Sequence, residues 1–414
     1  MRMPHYTCLH LATLASATDL PMPDTPSSDY SRHKVTAAVG FGQLLAWGSS
    51  FYLLAVLAAP MADGLAVPRV ALYAAFSMAL VIAAAVGPIA GQLIDQHGGR
   101  RVLLASNFLF ALALGVMGTA QGLPQLLAGW ALLGVAMPMG LYDAAFSTLV
   151  RLYSNQARAS IVGVTLIAGF ASSVSWPLTA WVEAEFGWRS ACLMWAALHL
   201  SAGVLIHGLL VPALPPASGQ QEAPSEQPPA SAAQLWRLAL VFACGGFVFA
   251  SMAAHLPRLL EAIGCSPGLA IGAAAVVGVA QVAARLLEAT FLRHLPPMIS
   301  AWLACSLHPL AAICLLIFGA PAAFVFAALH GAGIGLLTIV KGTLPLHLFG
   351  ARGFGRRAGL LEGPSRVVQA ATPILFGLML DAWGGTVIWI TGGVASAGLL
   401  MLLSLPGSDQ TRAA

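Results

Sequence analysis

The stretch Gly91–Arg101, GQLIDQHGGRR, places one carboxylate and a pair of arginines between two long apolar runs. The runs cover residues 70–94 and 102–121, and each reaches the ~20 residues that a helix needs to cross a bilayer. Polar segments with adjacent glycines are typical of tight connections. The stretch therefore predicts a turn at a membrane surface that joins two transmembrane helices.

The rest of the chain repeats this alternation of apolar runs and polar segments. Of its 414 residues, 58% are hydrophobic and 8% are charged, with a mean hydropathy of +0.83. Soluble domains carry about 25% charged residues, so the composition argues against an ordinary soluble enzyme. The net charge of +4, without any Lys/Arg run, gives no footprint for nucleic acid. The six cysteines show no paired spacing, so we expect no disulfide, no metal site and no cofactor.

Twelve runs of spanning length fall into two groups of six. They lie at about 35–59, 70–94, 102–121, 125–150, 159–182 and 190–211, and then at 236–257, 267–290, 298–318, 321–347, 358–380 and 385–405. This pattern predicts an all-α membrane protein with about twelve transmembrane helices in two pseudo-symmetric six-helix bundles. The predicted divisions are a flexible cytoplasmic tail, the N-terminal bundle, a disordered cytoplasmic linker rich in Pro, the C-terminal bundle and a second tail, at 1–34, 35–211, 212–235, 236–406 and 407–414.

Basic residues predict the orientation, because cytoplasmic loops carry an excess of Lys and Arg. With the N terminus inside, three arginines fall in outer loops, namely Arg69, Arg189 and Arg258. Thirteen basic residues fall on the cytoplasmic side: Arg2, Arg32, Lys34, Arg100, Arg101, Arg151, Arg158, Arg237, Arg293, Arg352, Arg356, Arg357 and Arg412. We therefore expect both termini in the cytoplasm.

The two groups of runs also resemble each other in sequence. At offsets of 195 and 196 residues, the matching positions are Gly140 with Gly335, Thr148 with Thr343, Leu149 with Leu344, Gly163 with Gly359, and Pro177 with Pro373. A near-constant offset over half the chain indicates duplicated six-helix units. Within the fifth run, Pro177 also predicts a bend in the helix.

The stretch Gly91–Arg101 resembles the loop G-x-L-x-D-R-x-G-R-R that follows the second span in the major facilitator superfamily, with Gln96 in place of a basic residue. Phe186–Arg189, FGWR, resembles another feature of that family, and the resemblance covers about residues 35–406. It implies two six-helix bundles that rock around a central cavity, lined by spans 1, 4, 7 and 10.

Five loop residues are candidates for a gate: Gly91, Asp95, Gly98, Arg100 and Arg101. Asp95 lies at a helix end beside the start of the eleventh span, whose first N–H groups lack partners within their own helix. We expect the Asp95 carboxylate to accept hydrogen bonds from them. The alternative is that Arg100 and Arg101 only anchor the topology.

Four charged side chains lie inside the apolar runs, namely Asp143, Arg285, Lys341 and Arg366. Burying a charge in hydrocarbon costs at least about 2.5–3.5 kcal/mol, so such residues usually face a watery cavity. Each lies roughly 8–11 positions from a basic residue at the predicted cytoplasmic rim, which is close to mid-depth in a bilayer. We expect the four side chains to line one central binding site.

Asp143 and Lys341 have no opposite charge within one turn of their own helices, so they can pair only between the two halves. Low dielectric favours the neutral form of a carboxyl group, which makes Asp143 a candidate proton carrier. The alternative is a permanent buried pair that only fixes packing. Arg366 has a local partner in Glu362, four residues earlier, and we interpret this pair as structural or gating.

The stretch Val279–Arg285, VAQVAAR, more distantly resembles the eighth span of monocarboxylate-type porters, in which an acid precedes an arginine by four residues. The resemblance implies that Arg285 binds a carboxylate, for which its planar donor fork is suited. Gln281 stands where that family has an acid that participates in proton coupling. The alternative for Arg285 is a structural pair with Glu288, one turn further on.

In the first span, Gln43, Trp47 and Ser50 share one helical face that could meet solute in the cavity. Two alternatives remain open for polar and aromatic residues in this region. An aromatic side chain can lie in the belt at the membrane surface, and small residues can simply permit close helix approach.

Together these patterns predict a secondary transporter of a small organic solute, anionic or amphoteric, such as a carboxylate, with proton coupling and alternating access. The expected partners are the solute, protons and the lipid bilayer of a bacterial inner membrane, with no nucleic acid, and we expect a monomer. The alternative is a drug/proton antiporter that exports lipophilic compounds through an aromatic cavity supplied by Trp47, Tyr52, Phe242 and Phe247. A membrane sensor or enzyme is more remote, because the chain contains no G-x-x-x-x-G-K-[ST], H-E-x-x-H or G-x-S-x-G motif.

Overall fold

The computed structural model describes residues 31–214 and 231–405, and every regular element within these ranges is helical, as the sequence predicts. The N-terminal half contains α1 (Arg32–Gly48), α2 (Leu53–Leu65), α3 (Arg69–His97), α4 (Gly99–Gly118), α5 (Leu123–Gly140), α6 (Tyr142–Tyr153), α7 (Arg158–Ala168) and α8 (Ala171–Leu198). The C-terminal half contains α9 (Ala232–Ala262), α10 (Pro267–Thr290), α11 (Pro297–Phe318), α12 (Ala323–Phe349), α13 (Phe354–Trp383) and α14 (Ile388–Leu403).

Within the described residues, nine helical segments are long and apolar enough to cross a membrane. Two of them are far longer than one crossing, with 88 residues in Leu123–Leu210 and 50 residues in Phe354–Leu403. The chain turns within the first of these at Gly187, whose φ of 79° lies in the left-handed region that favours glycine. A short 3₁₀ turn at Gly384–Val387 divides the second. The protein is therefore a multi-pass membrane protein.

Three crossings of the N-terminal half are interrupted. The first is broken between α1 and α2, and the fourth is broken at Leu141, which is extended between α5 and α6. The fifth is broken at Gly169–Phe170, between α7 and α8. Pro177, at which the sequence predicts a bend, lies inside α8. These interruptions place helix ends, and the side chains beside them, within the crossings.

Two predicted boundaries move by three or four residues. Helix α1 begins at Arg32 rather than after residue 34, since the Arg32 side chain bonds Ser160 Oγ at 3.0 Å. Helix α9 begins at Ala232, because Ser231 and Gln234 form a capping box. Most of the predicted tails and linker (residues 1–30, 215–230 and 406–414) lie outside the described residues.

The two halves meet chiefly through α3, α6 and α7 on one side and α10, α12 and α13 on the other. The closest approach is between α3 and α13, where a Cβ added at Gly91 would collide with the backbone of Gly355. A Cβ added at Gly359 would likewise collide with the backbone of Gly87. Only glycine lets two helix backbones approach this closely.

We call the end of the molecule that carries the α3–α4 connection the Asp95 end. The Ser154–Ala157 turn between α6 and α7 and the start of α13 at Phe354 lie at the same end, because successive crossings alternate in direction. The inter-half helices α6 and α7 are thus the parts of the fourth and fifth crossings that lie nearest the Asp95 end. The halves are therefore closed at this end.

Candidate functional site

Four charged side chains form a cluster at the interface between the halves. Asp143 lies in the first turn of α6, and the Arg366 guanidinium on α13 pairs with its carboxylate. Lys341 on α12 pairs with Glu362 on α13, with 2.9 Å between Nζ and Oε2. Arg366 also donates to the Ala83 carbonyl oxygen on α3 at 3.1 Å. The helix N-terminus that carries Asp143 favours a negative charge there.

The structure brings three of the four predicted embedded charges together but exchanges their partners. The sequence favoured Asp143 with Lys341 and Arg366 with Glu362, whereas the observed pairs are Asp143 with Arg366 and Lys341 with Glu362. The physical reason is tertiary packing, because α6 and α12 both pack on α13 and offer its side chains nearer partners than its own helix does. Of these two pairs, Asp143–Arg366 joins the two halves, whereas Lys341–Glu362 lies within the C-terminal half.

Arg285 lies apart from this cluster, at the contact between α10 and α7. It is 6% exposed, and its Nη1 donates to the Thr165 carbonyl oxygen at 3.1 Å. The predicted alternative pair with Glu288 is not formed, because Glu288 pairs with Arg158 of α7 at 2.8 Å and accepts from Ser300 Oγ at 2.6 Å. The Arg285 Nε is buried and has no hydrogen-bond partner in the described part of the chain.

Aromatic rings from the interrupted first and fourth crossings lie beside Arg285. The ring centroids of Trp47 and Tyr142 are 5.1 Å apart, and those of Trp47 and Tyr52 are 6.0 Å apart. Tyr52 also meets Trp176 edge-on at 5.7 Å. Arg285 is close enough to Tyr52 and Tyr142 to act on both hydroxyl groups electrostatically. We call Trp47, Tyr52 and Tyr142 the aromatic wall.

The other predicted pathway residues have structural contacts. Gln43 donates from Nε2 to the Gly140 carbonyl oxygen at 2.7 Å, and Ser50 donates to the Ala46 carbonyl oxygen of its own helix at 2.5 Å. Gln281 is half-buried. Its backbone packs so closely on α12 that a Cβ added at Gly335 would collide with the backbone of Gln281.

The candidate gate residues lie where the halves are in contact. The Asp95 carboxylate accepts from Gly355 N and from Arg356 N, both at 2.9 Å, which is the contact with the start of α13 that the sequence predicts. Gly353 precedes α13 and has no side chain to cap it, so Asp95 supplies the missing acceptors from the other half.

The remaining loop residues shape the α3–α4 connection. Gly98 has a φ of 81°, and a Cβ at Gly99 would collide with the Thr148 side chain of α6. Arg100 is half-buried and Arg101 is exposed.

Sequence reasoning missed Arg158 and Tyr142 as site residues and treated Glu288 and Glu362 only as local partners. An arginine near a span end carries no signal for a contact with another helix, and neither does a tyrosine in an apolar run. One signal was available in the sequence: Glu288 and Glu362 are carboxylates within spans. Burying an unpaired carboxylate there is costly, so each of them had to have a partner.

Comparison with known proteins agrees with this architecture. The family model described as Major Facilitator Superfamily matches residues 39–327. Among curated proteins, monocarboxylate transporter 11 of Homo sapiens is 27% identical over 355 residues, covering 80% of this chain and 65% of that protein. The 3-(3-hydroxy-phenyl)propionate transporter of Escherichia coli (strain K12) is 26% identical over 190 residues, covering 46% of this chain and 45% of that protein.

The chain thus spans less than two thirds of the length of these relatives. Among solved structures, the human organic anion transporter MFSD10 (TETRAN) superposes with a TM-score of 0.71 at 17% identity, covering 90% of this chain and 99% of that one. At this identity the likeness concerns the fold.

Proposed function

We propose that this chain, which belongs to the Major Facilitator Superfamily, is a secondary transporter that moves a small carboxylate across the membrane by alternating access. Proteins of this family are transporters and not enzymes, and they bind small-molecule solutes. The positive-inside distribution supports a cytoplasmic location of both termini, and we propose that the membrane is a bacterial inner membrane. We propose that the transporter acts as a monomer.

Arg285 is the observation that carries the carboxylate proposal. Its guanidinium extends from the C-terminal half to the N-terminal half and lies beside the aromatic wall. No carboxylate in the described residues lies within ion-pair distance of it. A buried guanidinium without a counter-ion is costly, and a substrate carboxylate would supply both the charge and the acceptors. Binding of a substrate carboxylate to Arg285 would therefore offset the cost of burying its charge.

We propose that Asp143 couples transport to protons. It is the only acid of the four-charge cluster that belongs to the N-terminal half, and its ion pair with Arg366 joins the halves. Protonation of Asp143 would remove the charge that holds Arg366, and the contact between α6 and α13 would weaken. Proton uptake would thus favour separation of the halves, while Lys341 and Glu362 keep their own pair within the C-terminal half.

The test uses the full chain reconstituted in proteoliposomes with an internal pH indicator and an imposed pH gradient. We expect carboxylates to produce a substrate-linked pH change that Asp143→Asn abolishes and Arg285→Gln removes through loss of binding. The matched control is Arg258→Gln, which breaks an exposed ion pair with Asp381 inside the C-terminal half. Unaltered coupling in Asp143→Asn would refute the proton role, and absence of carboxylate transport in the unmodified chain would refute the carrier.

One observation favours a second candidate, an antiporter of lipophilic compounds. The aromatic wall continues into Trp176, which is 45% exposed, and such rings suit apolar ligands. A panel of lipophilic cations in the same proteoliposomes separates the two candidates. Proton exchange driven by cations and not by carboxylates would establish the antiporter instead.

A further inference from the structure

We infer that the carboxylate carried by this protein bears an aromatic ring, and that Trp47, Tyr52 and Tyr142 form the site for that ring beside Arg285. The inference rests on the proposed function and narrows it to one class of substrate. It assigns two tasks to neighbouring groups, with Arg285 holding the anionic end and the aromatic wall holding the ring.

The aromatic wall arises from helix ends rather than from a continuous packed face. Trp47 is the penultimate residue of α1, Tyr52 lies in the break before α2, and Tyr142 begins α6 after the break at Leu141. Their planes are tilted, at 51° between Trp47 and Tyr142 and 39° between Trp47 and Tyr52. All three side chains are only half-buried, so ring surface stays available to a ligand.

Two of the unpaired polar atoms of this region are donors, and Gln43 Oε1 is an unpaired acceptor. Trp47 Nε1 and Arg285 Nε are buried and have no hydrogen-bond partner in the described part of the chain. The Tyr52 and Tyr142 hydroxyl groups lie within electrostatic reach of the same guanidinium. A ligand that satisfies Trp47 Nε1 and Arg285 must bring acceptors and negative charge, and the neighbouring rings favour a flat apolar surface.

The same features disfavour other classes of ligand. A cation could stack on the rings, but the positive charge of Arg285 opposes it. A neutral polyhydroxylated solute would leave the buried charge of Arg285 without a counter-ion. A short aliphatic carboxylate would satisfy Arg285 but would cover little of the ring surface that stays exposed. An aromatic carboxylate matches both parts of the site.

The experiment compares ligands of equal charge and similar size. Binding and uptake of benzoate, cyclohexanecarboxylate and butyrate are measured with the full chain in proteoliposomes. An aromatic pair adds a modest binding free energy beyond that of the buried area. We therefore expect the affinity for benzoate to exceed that for cyclohexanecarboxylate by roughly two- to tenfold. We expect Trp47→Leu and Tyr142→Leu to bring this ratio close to one, and Trp47→Phe to retain most of it.

The control variant is Trp389→Leu, which removes a ring that is 67% exposed on the outside of the C-terminal half and should leave the ratio unchanged. Equal affinity for benzoate and cyclohexanecarboxylate in the unmodified chain would overturn the ring site while leaving the carboxylate carrier intact. Failure of all three acids to bind would instead overturn the proposed function. Because the decisive ratio is measured on the unmodified chain, the outcome does not depend on the variants folding.

Discussion

At the scale of single residues, a chain of buried hydrogen bonds stabilises the break in the first crossing. Ser49, in that break, lies 2.8 Å from His199 Nε2, and His199 Nδ1 lies 2.9 Å from Asn107 Oδ1. Asn107 Nδ2 donates to the Leu103 carbonyl oxygen at 2.8 Å, which fixes the amide orientation, and lies 2.7 Å from His207 Nδ1. His199 therefore donates from Nδ1 and accepts from Ser49, while His207 accepts from Asn107.

We predict that Asn107→Leu destabilises the protein strongly. The substitution leaves a donor on His199 and an acceptor on His207 buried without partners, and each orphaned group costs about 1–3 kcal/mol. The measurement is thermal unfolding of the purified protein in detergent. Ser201→Ala is the control, since the exposed Ser201 hydroxyl bonds only a carbonyl of its own helix. Equal midpoints for the two variants would contradict the prediction.

At the scale of elements, the contact between α3 and α13 depends on glycine. The backbones of Gly91 and Gly355 touch, and Asp95 of α3 caps α13 one turn away. The obstacle that a Cβ at Gly91 would meet is backbone and not the end of a flexible side chain. The two helices must therefore separate if either glycine is enlarged.

We predict that Gly91→Ala opens the Asp95 end. The measurement is the distance between spin labels at Gln92 and Arg352, which are exposed residues of opposite halves at this end, in a cysteine-free background. The distance should lengthen and transport should fall. Gly115→Ala in α4 is the matched control, because a Cβ there meets nothing within 4 Å. An unchanged distance distribution in Gly91→Ala would contradict the role assigned to this contact.

At the scale of the whole molecule, the features that depend on local sequence could be predicted, whereas most contacts between helices could not. The run lengths and the internal repeat can be read directly from the sequence, and the all-helical fold and the family are confirmed. The contact of Asp95 with the start of α13 was predicted from the expected position of the loop beside the eleventh span, and it is observed.

The ion pairs predicted between Asp143 and Lys341 and between Arg366 and Glu362 were wrong, because the fold brings another partner closer to each of these side chains. The alternative pair of Arg285 with Glu288 is not formed, since Glu288 pairs with Arg158 on another helix. The break at Gly169–Phe170 was not predicted from the sequence.

The closed Asp95 end depends on contacts that must all break when the halves rock apart: Asp95 with α13, Arg158 with Glu288, Arg285 with Thr165, and Asp143 with Arg366. Glu288 is completely buried, so loss of Arg158 leaves a carboxylate that is costly while the end stays closed. We predict that Arg158→Gln shifts the equilibrium toward opening at this end by about tenfold or more.

The same pair of spin labels measures this shift, and a double variant identifies its cause. When Glu288→Gln is added to Arg158→Gln, no charge remains at the pair, and the amide oxygen introduced at position 288 can still accept from Ser300. We therefore expect the double variant to lie closer to the unmodified protein than Arg158→Gln does, as a positive coupling in the double-mutant cycle. If the single and double variants opened equally, the unpaired carboxylate would not be the cause, because the second substitution removes that charge and leaves the side-chain volume nearly unchanged.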